Sequence, residues 1–198
     1  MGNSLGKKTA IIHSAIEVFQ EQGIEKTKIS DIVKRAGIAQ GTFYLYFPSK
    51  LSLMPAIAEV MVMKTIEIVK QTVDDEATYP KQFEQMVEAI FEVNKEYYEI
   101  LAVIYSGLAS TEHIREWESV YAPFYEWISE KLEAAKIAGA VRQSIKPDRT
   151  AKIIIGLIES TAEQVFLYAQ HDESEADRQK EEVLDFMSHA LHFQTVKG

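Results

Sequence analysis

Cysteine is absent from the 198-residue sequence, and this absence removes several kinds of chemistry at once. A chain without cysteine forms no disulfide, has no thiol nucleophile and holds no metal through thiolates. Proline and glycine are scarce as well, with five and nine residues, and we find no low-complexity tract and no internal repeat. The expected organisation is one large globular domain, or a small domain joined to a larger one.

Long hydrophobic runs are missing too. The longest apolar stretches fall far short of the roughly 20 residues that a membrane-spanning helix requires. The N-terminal stretch MGNSLGKKTAIIHSAIEVF carries lysines where a signal peptide would be hydrophobic. We therefore expect a cytoplasmic protein without a membrane partner.

Catalytic and metal-binding patterns are also lacking. The sequence contains no phosphate-binding glycine-rich loop, no nucleophile elbow and no His-Glu-x-x-His pair. Only His189 and His192 share a helix face, and two histidines without a third ligand make a poor metal site. The sequence therefore predicts that the protein is not an enzyme and has neither a metal nor a cofactor.

Charge is distributed unevenly between the two ends of the chain. The net charge of −9 opposes binding to a polyanion such as DNA. Residues 1–50, here called the head, nevertheless contain seven basic and four acidic residues, a balance of +3. Residues 51–198, here called the body, contain 14 basic and 26 acidic residues, a balance of −12. This asymmetry suits a protein that touches DNA at one end only.

Hydrophobic periodicity indicates helices along nearly the whole chain, and no alternating pattern predicts a strand. In the head, Gly23 is expected to end the first helix, Thr27 to cap the second and Gly37 to end it, and a third short helix covers 40–46. In the body, helices are expected from the Pro48-Ser49 break to about 73 and over roughly 80–108, 112–138, 147–171 and 175–195. The predicted fold class is all-α, with a three-helix head and a larger helical bundle.

The stretch Ile29 to Lys50, ISDIVKRAGIAQGTFYLYFPSK, places two short helical patterns on either side of Gly37. This pattern is typical of a helix-turn-helix, whose second helix is short and polar on its outer face so that it can enter the major groove. Glutamine pairs with the edge of adenine, threonine contacts a phosphate or a thymine methyl, and tyrosine and lysine suit phosphates. Gly41 lacks a side chain where the backbone meets the groove, and Phe43 and Phe47 are left to anchor the core. From spacing alone, an ordinary helical hairpin is an open alternative.

The residue types in this stretch favour the DNA-binding alternative. They closely resemble the N-terminal DNA-binding domain of the TetR family of bacterial transcriptional regulators over about residues 7–54. The resemblance rests on Thr27, Ile29, Ile32, Ala36, Gly37, Ile38, Gly41, Thr42, Phe43, Tyr44, Tyr46, Phe47 and Lys50. It implies a helix-turn-helix DNA-binding domain at 1–50, a ligand-binding and dimerisation domain at 51–198, and release of operator DNA when a small molecule binds the body.

The resemblance also implies which residues contact DNA. Four residues, Gln40, Gly41, Thr42 and Tyr44, occupy the family's recognition-helix contact positions, and Tyr46 completes the outer face. Lys50 occupies the basic position that holds a phosphate in the family. The backbone N–H groups at the start of the second helix also favour a phosphate. Near that helix start lie Lys28 and Ser30.

Two positions depart from the family pattern. Ala39 stands where a capping serine is usual, which gives up a side-chain cap worth about 1 kcal/mol. Pro55 would delete a hydrogen bond worth about 3 kcal/mol if it lay inside a helix that begins at Ser49. We therefore expect a short turn from Ser49 to Leu53 before the main helix. A proline tolerated in the first helical turn is the alternative.

Two apolar stripes in the body are expected to pair with a second copy of the chain, because helix-turn-helix dimers read two half-sites about 34 Å apart. We interpret the stripes as one half of a four-helix dimer interface, with packing inside one chain as the alternative. The interface candidates are Ala151, Ile155, Gly156, Ile158, Ala162, Phe166, Val183, Phe186, Met187 and Ala190.

Aromatic residues concentrate in the central helices of the body, and ligand pockets are mostly apolar with a few orienting polar groups. A carboxylate among aromatic rings suits a cationic ligand. For any one residue, core packing or a solvated helix face is the competing interpretation. The candidates are Asn94, Tyr98, Tyr105, Trp117, Tyr121, Phe124, Trp127, Glu159 and Glu163.

Together these observations predict a transcriptional regulator, a repressor by resemblance, that binds a palindromic operator as a homodimer and is released by a small hydrophobic or aromatic effector. Its expected partners are double-stranded DNA, a second copy and that effector. The alternative is a helical protein-interaction module that has lost specific DNA binding. Ala39 and the acidic net charge are the features that fit this alternative.

Overall fold

The computed structural model describes residues 2–108, 114–168 and 173–193; within these ranges, side chains at 2–5, 103, 105–108, 114–118, 168 and 173 are not described. Helices account for the regular structure of this part of the chain, and no strand occurs in it, as the periodicity predicts. The helices are α1 (Gly2–Gln22), α2 (Ile29–Ala36), α3 (Gln40–Tyr44), α4 (Met54–Thr72), α5 (Tyr79–Leu108), α6 (Ile114–Ile137), α7 (Pro147–Glu163) and α8 (Glu173–Leu191).

The chain divides into two compact units. The first comprises Met1–Met61 with Glu99–Trp117, and the second comprises Val62–Tyr98 with Glu118–Gly198. The first unit thus extends beyond the predicted head in sequence. Inside it, α1 packs on α2 and α2 packs on α3; inside the second unit, α7 packs on α8.

Glycines end the first two helices of the head, as predicted. Gly23 has a φ of 79° and donates its N–H to the carbonyl of Phe19 at 2.8 Å. Gly37 has a φ of 65°, and the next N–H, from Ile38, reaches back to the carbonyl of Val33 at 3.1 Å. This is the Schellman arrangement, which needs a left-handed residue that glycine supplies without strain. The turn between α2 and α3 is therefore fixed by local chemistry.

The segment before α4 agrees with the predicted turn. A short 3₁₀ turn covers Leu51–Leu53, and α4 begins at Met54, so that Pro55 lies in its first turn. At that position the missing N–H of proline costs no helical hydrogen bond. The delayed start and the tolerated proline are thus one and the same arrangement.

In the second unit, the connection between α6 and α7 closes onto the end of α8. The N–H of Arg142 donates to the carbonyl of Leu191 at 2.9 Å, and its Nε donates to the carbonyl of Ala190 at 2.5 Å. These bonds satisfy carbonyls at a helix end that have no partner within the helix. After Glu163 the chain continues as a π-helical segment, Gln164–Tyr168. In the described part of the chain, no helix is both long and apolar enough to cross a bilayer.

Candidate functional site

The third helix is held from beneath by two phenylalanines. Phe43 and Phe47 are buried, and their ring centroids lie 5.9 Å apart. Tyr44 is half-exposed and meets the edge of Phe43 at a centroid distance of 5.6 Å. The short helix is therefore anchored by its apolar side, and its other side stays available to solvent. The predicted role of Phe43 and Phe47 as core anchors is confirmed.

All the predicted DNA-contact residues retain exposure to solvent. The exposed ones are Lys28, Ser30, Gln40, Gly41 and Tyr44, and the half-buried ones are Thr42, Tyr46 and Lys50. A Cβ added at Gly41 would meet no atom within 4 Å, so this part of α3 is open. The structure thus brings the α3 candidates together on one accessible surface.

The start of α2 differs from the prediction. Its N-cap residue is Lys28, not Thr27, and the buried Thr27 hydroxyl donates instead to the carbonyl of Gly23 at 2.7 Å. Asp31 accepts the Lys28 N–H at 2.9 Å, the reciprocal arm of a capping box, and this bond lowers the pKa of Asp31. The hydrogen bond to the Gly23 carbonyl holds the Thr27 side chain inward, and no local sequence signal reports this bond. Asp31 also places a negative charge beside Lys28 and Ser30, where a phosphate was expected.

Lys50 has internal partners for its amino group. Nζ donates to the carbonyl of Ile24 at 2.5 Å and to the carbonyl of Thr27 at 2.9 Å. Both carbonyls belong to the connection between α1 and α2. Lys50 therefore fastens this connection to the start of the 3₁₀ turn, with one of its three donors left over. Lys50 therefore has a structural role in the head, in addition to any contact that it makes with DNA.

Two further features of the head are the ion pairs of Arg35 and the capping of α3. Arg35 binds two carboxylates of α1, with Nη2 2.5 Å from Glu21 Oε2 and Nη1 3.2 Å from Glu17 Oε2. The hydrogen bonds to Glu21 and then Glu17 raise the pKa of Arg35, so its charge is compensated inside the head. Ala39, at the N-cap of α3, makes no side-chain capping bond. The weak cap predicted from the sequence is confirmed.

In the body, the structure brings two effector candidates together. The buried Tyr121 of α6 donates its hydroxyl to Glu159 of α7, at 2.9 Å to Oε1 and 3.0 Å to Oε2. Burial raises the pKa of the half-buried Glu159 to about 7; the Tyr121 bond opposes this rise, and the charge of Glu163 adds to it. Tyr125 lies beside Tyr121 at a centroid distance of 5.8 Å. The result is a carboxyl group that titrates near neutral pH next to two aromatic rings.

The remaining effector candidates differ in burial. Asn94 is buried and donates to the carbonyl of Ile90 in its own helix at 2.9 Å, and Phe124 is buried in the core. Tyr98 and Glu163 are half-buried. The side chains of Tyr105 and Trp117 lie outside the described residues.

Trp127 lines a separate small pocket in the second unit. Lys131 lies over its ring, with Nζ 5.5 Å from the centroid, and is paired with Asp75. The lining residues are Val73, Gln82, Phe83, Met86, Trp127, Ile128 and Lys131. This pocket and the Tyr121–Glu159 pair have no lining residue in common. Among the described residues, no group of three or more histidines or carboxylates is placed to hold a metal ion.

The dimerisation candidates divide by exposure. Seven are buried inside the single chain, namely Ala151, Ile155, Ile158, Ala162, Phe166, Val183 and Met187. Phe166, for example, meets the edge of Phe91 on α5 at a centroid distance of 6.2 Å. The three exposed ones are Gly156, Phe186 and Ala190. Ile153 of α7, which the sequence interpretation did not single out, is exposed as well.

The sequence interpretation also passed over Leu45. This residue directly follows α3, and 81% of its surface is exposed. A signal was present in the sequence, because an apolar residue stands at a helical spacing of three and four from Thr42 and Gly41. Leu45 is thus an apolar side chain on the face that is predicted to meet DNA.

Comparison with protein families gives two matches. The family described as "Bacterial regulatory proteins, tetR family" matches residues 11–57, and "Tetracyclin repressor-like, C-terminal domain" matches residues 83–191. The Bacillus subtilis (strain 168) protein YvdT, named an uncharacterized HTH-type transcriptional regulator, is 37% identical over 186 residues, which cover 94% of this chain and 95% of YvdT.

Solved structures share the fold at lower identity. FadR from Bacillus subtilis, in complex with stearoyl-CoA, has a TM-score of 0.71 at 22% identity, covering 90% of this chain and 96% of FadR. A putative regulator from Saccharomonospora viridis, in complex with choline, has a TM-score of 0.73 at 17% identity, covering 95% and 98%. The matches to both parts of the sequence and to YvdT show that this chain belongs to the TetR family of helix-turn-helix transcriptional regulators, which are not enzymes.

Proposed function

We propose that this chain is a cytoplasmic, ligand-responsive repressor that binds a palindromic operator as a homodimer and releases it when a small molecule binds the body. The observation that carries the DNA-binding part is the open face of α3. Gln40, Gly41 and Tyr44 are exposed there, while Phe43 holds the helix from the opposite side. A short, rigidly anchored helix with polar side chains outward fits the requirement for entry into the major groove.

Selection of operator DNA from a random pool tests this part of the proposal. We expect the purified protein to retain a palindromic sequence, with affinity falling steeply as salt rises. Gln40→Ala should change the base preference at one position of each half-site, whereas Gln20→Ala, an exposed glutamine of α1, serves as the control and should not. Equal losses on matched and mismatched operators for Gln40→Ala would show that Gln40 reads no base.

The same experiment separates the repressor from a helical protein-interaction module. The acidic net charge and the absence of a side-chain capping bond from Ala39 favour the module. If no sequence from the pool is retained at any salt concentration, the result supports the protein-interaction module. Salt-sensitive retention of one palindrome would exclude the module.

We propose that the second copy docks on the exposed apolar residues of α7 and α8. Phe186 is 59% exposed and Ile153 is 66% exposed, and the small Gly156 and Ala190 permit close approach. The seven buried candidates then support this surface from inside the chain. Sedimentation should show a dimer that Phe186→Glu dissociates, while Met63→Glu, at an exposed methionine of α4, should leave it intact. A dimer that survives Phe186→Glu together with Ile153→Glu would exclude this surface.

The effector is proposed to be a small molecule with an apolar or aromatic part and a group that meets Glu159. Tyr121 and Tyr125 supply aromatic faces, and a carboxyl group among them suits a cation or a hydrogen-bond donor. The stearoyl-CoA and choline complexes of the two structural neighbours support small-molecule binding in this fold.

Mass spectrometry of the protein as purified, followed by addition of any retained compound to the operator complex, tests the effector. We expect that compound to release DNA from the wild type and to act more weakly on Glu159→Gln. Glu133→Gln, an exposed glutamate of α6, is the control and should respond as the wild type does. Equal response of both variants would remove Glu159 from the effector site.

A further inference from the structure

Leu45 is the most exposed large apolar side chain among the described residues, at 81%. Its backbone is still helical, with φ −70° and ψ −22°, and its N–H donates to the carbonyl of Thr42 at 3.3 Å. Leu45 therefore extends α3 by one residue and keeps the direction of a helical side chain.

Helical spacing places Leu45 on the open face of α3. Residues three and four apart are neighbours on a helix surface, so Leu45 lies beside Thr42 and Gly41. Phe43 and Phe47, which are also four apart, occupy the buried side. Gly41 has no side chain, and the space where its Cβ would stand is empty. The apolar side chain of Leu45 is thus accessible and continuous with the surface already assigned to DNA.

We propose that Leu45 is a specificity-determining residue that contacts the 5-methyl group of a thymine in the major groove of the operator. This inference rests on the proposed DNA-binding function. Among the groups that base pairs present in the major groove, the thymine methyl is the apolar one. A leucine pressed against any other base edge would desolvate polar atoms without pairing them. An exposed leucine on a groove-facing helix therefore selects thymine and disfavours bases with polar groups at that place.

Replacement of thymine by deoxyuridine tests this contact, because it removes the methyl group and leaves all hydrogen-bonding atoms in place. On the selected operator, we expect one such replacement in a half-site to weaken wild-type binding about fourfold, the factor that burial of one methyl-sized group supplies. Leu45→Ala should weaken binding to the thymine operator and should bind the thymine and deoxyuridine operators equally. Ile137→Ala, at a position that is 80% exposed in α6, controls for the loss of an exposed apolar side chain and should behave as the wild type.

Thr42 also carries a methyl group, so Thr42→Ser completes the experiment. Retained deoxyuridine sensitivity in Leu45→Ala, with loss of sensitivity in Thr42→Ser, would overturn the inference and assign the contact to Thr42. Tight operator binding by the wild type that is insensitive to deoxyuridine at every position would overturn it while leaving the proposed function intact. Absence of any retained operator would overturn both.

Discussion

The candidate DNA-contact residues of the head are accessible to solvent, whereas most of the candidate dimerisation residues of the body are buried. In the head, every predicted DNA-contact residue is exposed or half-buried. In the body, most of the predicted dimerisation residues are buried inside one chain, and the exposed remainder is Gly156, Phe186 and Ala190. Residues that contact DNA have to point outward, and the polar ones among them are identified by their type, whereas the apolar Leu45 is identified only by its exposure. Apolar residues at helical spacing serve a core and an interface equally well, so their type alone does not separate the two.

The head and the body can also be compared by the partners of their basic side chains. The head carries a balance of +3, yet Arg35 is engaged by Glu17 and Glu21, and Lys50 is engaged by backbone carbonyls. Part of the basic charge therefore has a structural role inside the head. In the body, Lys180 is placed similarly: burial lowers its pKa, but its bonds to Asp177 and Glu88 outweigh burial and raise it. Counting lysines and arginines overstates the charge available to phosphates in either region.

The largest effect is expected from removing the anchor of the recognition helix. Phe43→Ala replaces a fully buried ring and should lower the free energy of unfolding of the head by about 3–5 kcal/mol. Phe186→Ala removes the same ring from an exposed position of the body and should cost less than about 1 kcal/mol in the isolated chain. Amide hydrogen exchange of α1–α3 and of α8 measures both. Similar losses at the two positions would contradict the contrast between an anchored head and an exposed body surface.

Lys50 tests whether the head's basic charge is structural. Lys50→Met removes two hydrogen bonds from a charged donor and should destabilise the head by about 1–3 kcal/mol. Lys34→Met, at an exposed lysine of α2, is the control and should change stability by less than about 0.5 kcal/mol. Urea unfolding gives the stabilities, and the salt dependence of operator binding gives the phosphate contacts. We expect the salt slope of Lys50→Met to match that of the wild type; a fall of about one would mean that Lys50 neutralises a phosphate.

Local chemistry explains which parts of the fold the sequence predicts. The helix stops at Gly23 and Gly37 depend on a left-handed residue, and the late start of α4 depends on Pro55; each of these is decided within a few residues. Thr27 does not cap α2, because its hydroxyl bonds the carbonyl of Gly23, which the preceding turn brings within reach. Lys50 likewise finds its partners 23 and 26 residues away in sequence. Such tertiary bonds leave no periodic signal.

The body contains the less predictable features for the same reason. The backbone of α5 departs from helical geometry at Tyr97, with φ −116° and ψ 18°, although neither proline nor glycine occurs there. Tyr97 is buried, and the ammonium of Lys64 lies 4.3 Å from its ring centroid and bonds its hydroxyl. By contrast, α6 continues as a helix through Pro123. No helix-breaking residue marks the irregularity at Tyr97, so the sequence does not predict where it falls.

Glu159 should make the stability of the body depend on pH. Its pKa is raised to about 7 in the fold from 4.5, so the folded chain binds a proton that the unfolded chain has lost between these values. The contribution of Glu159 to stability should therefore be complete below about pH 4.5 and fall as pH rises from there through 7. Because Glu159 is half-buried, we expect the loss to be about 1–2 kcal/mol. Urea unfolding at pH 5.5 and pH 8 measures it, with Glu159→Gln expected to remove the difference. An unchanged pH dependence in that variant would assign the effect to other groups.

The smallest effect is expected at Ala39, and it has the opposite sign. The backbone of Ala39, with φ −75° and ψ 148°, already has the geometry of an N-cap residue, but its side chain makes no capping bond. Ala39→Ser supplies a hydroxyl that can accept an N–H of the first turn of α3, which should raise the free energy of unfolding of the head by about 0.5–1 kcal/mol. Ala39→Val adds bulk at the same exposed position without an acceptor and should give no gain. Hydrogen exchange in α3 distinguishes the two variants. If serine stabilises α3 no more than valine does, then water already satisfies the start of this helix, and the missing cap has no bearing on how firmly the DNA-facing surface is held.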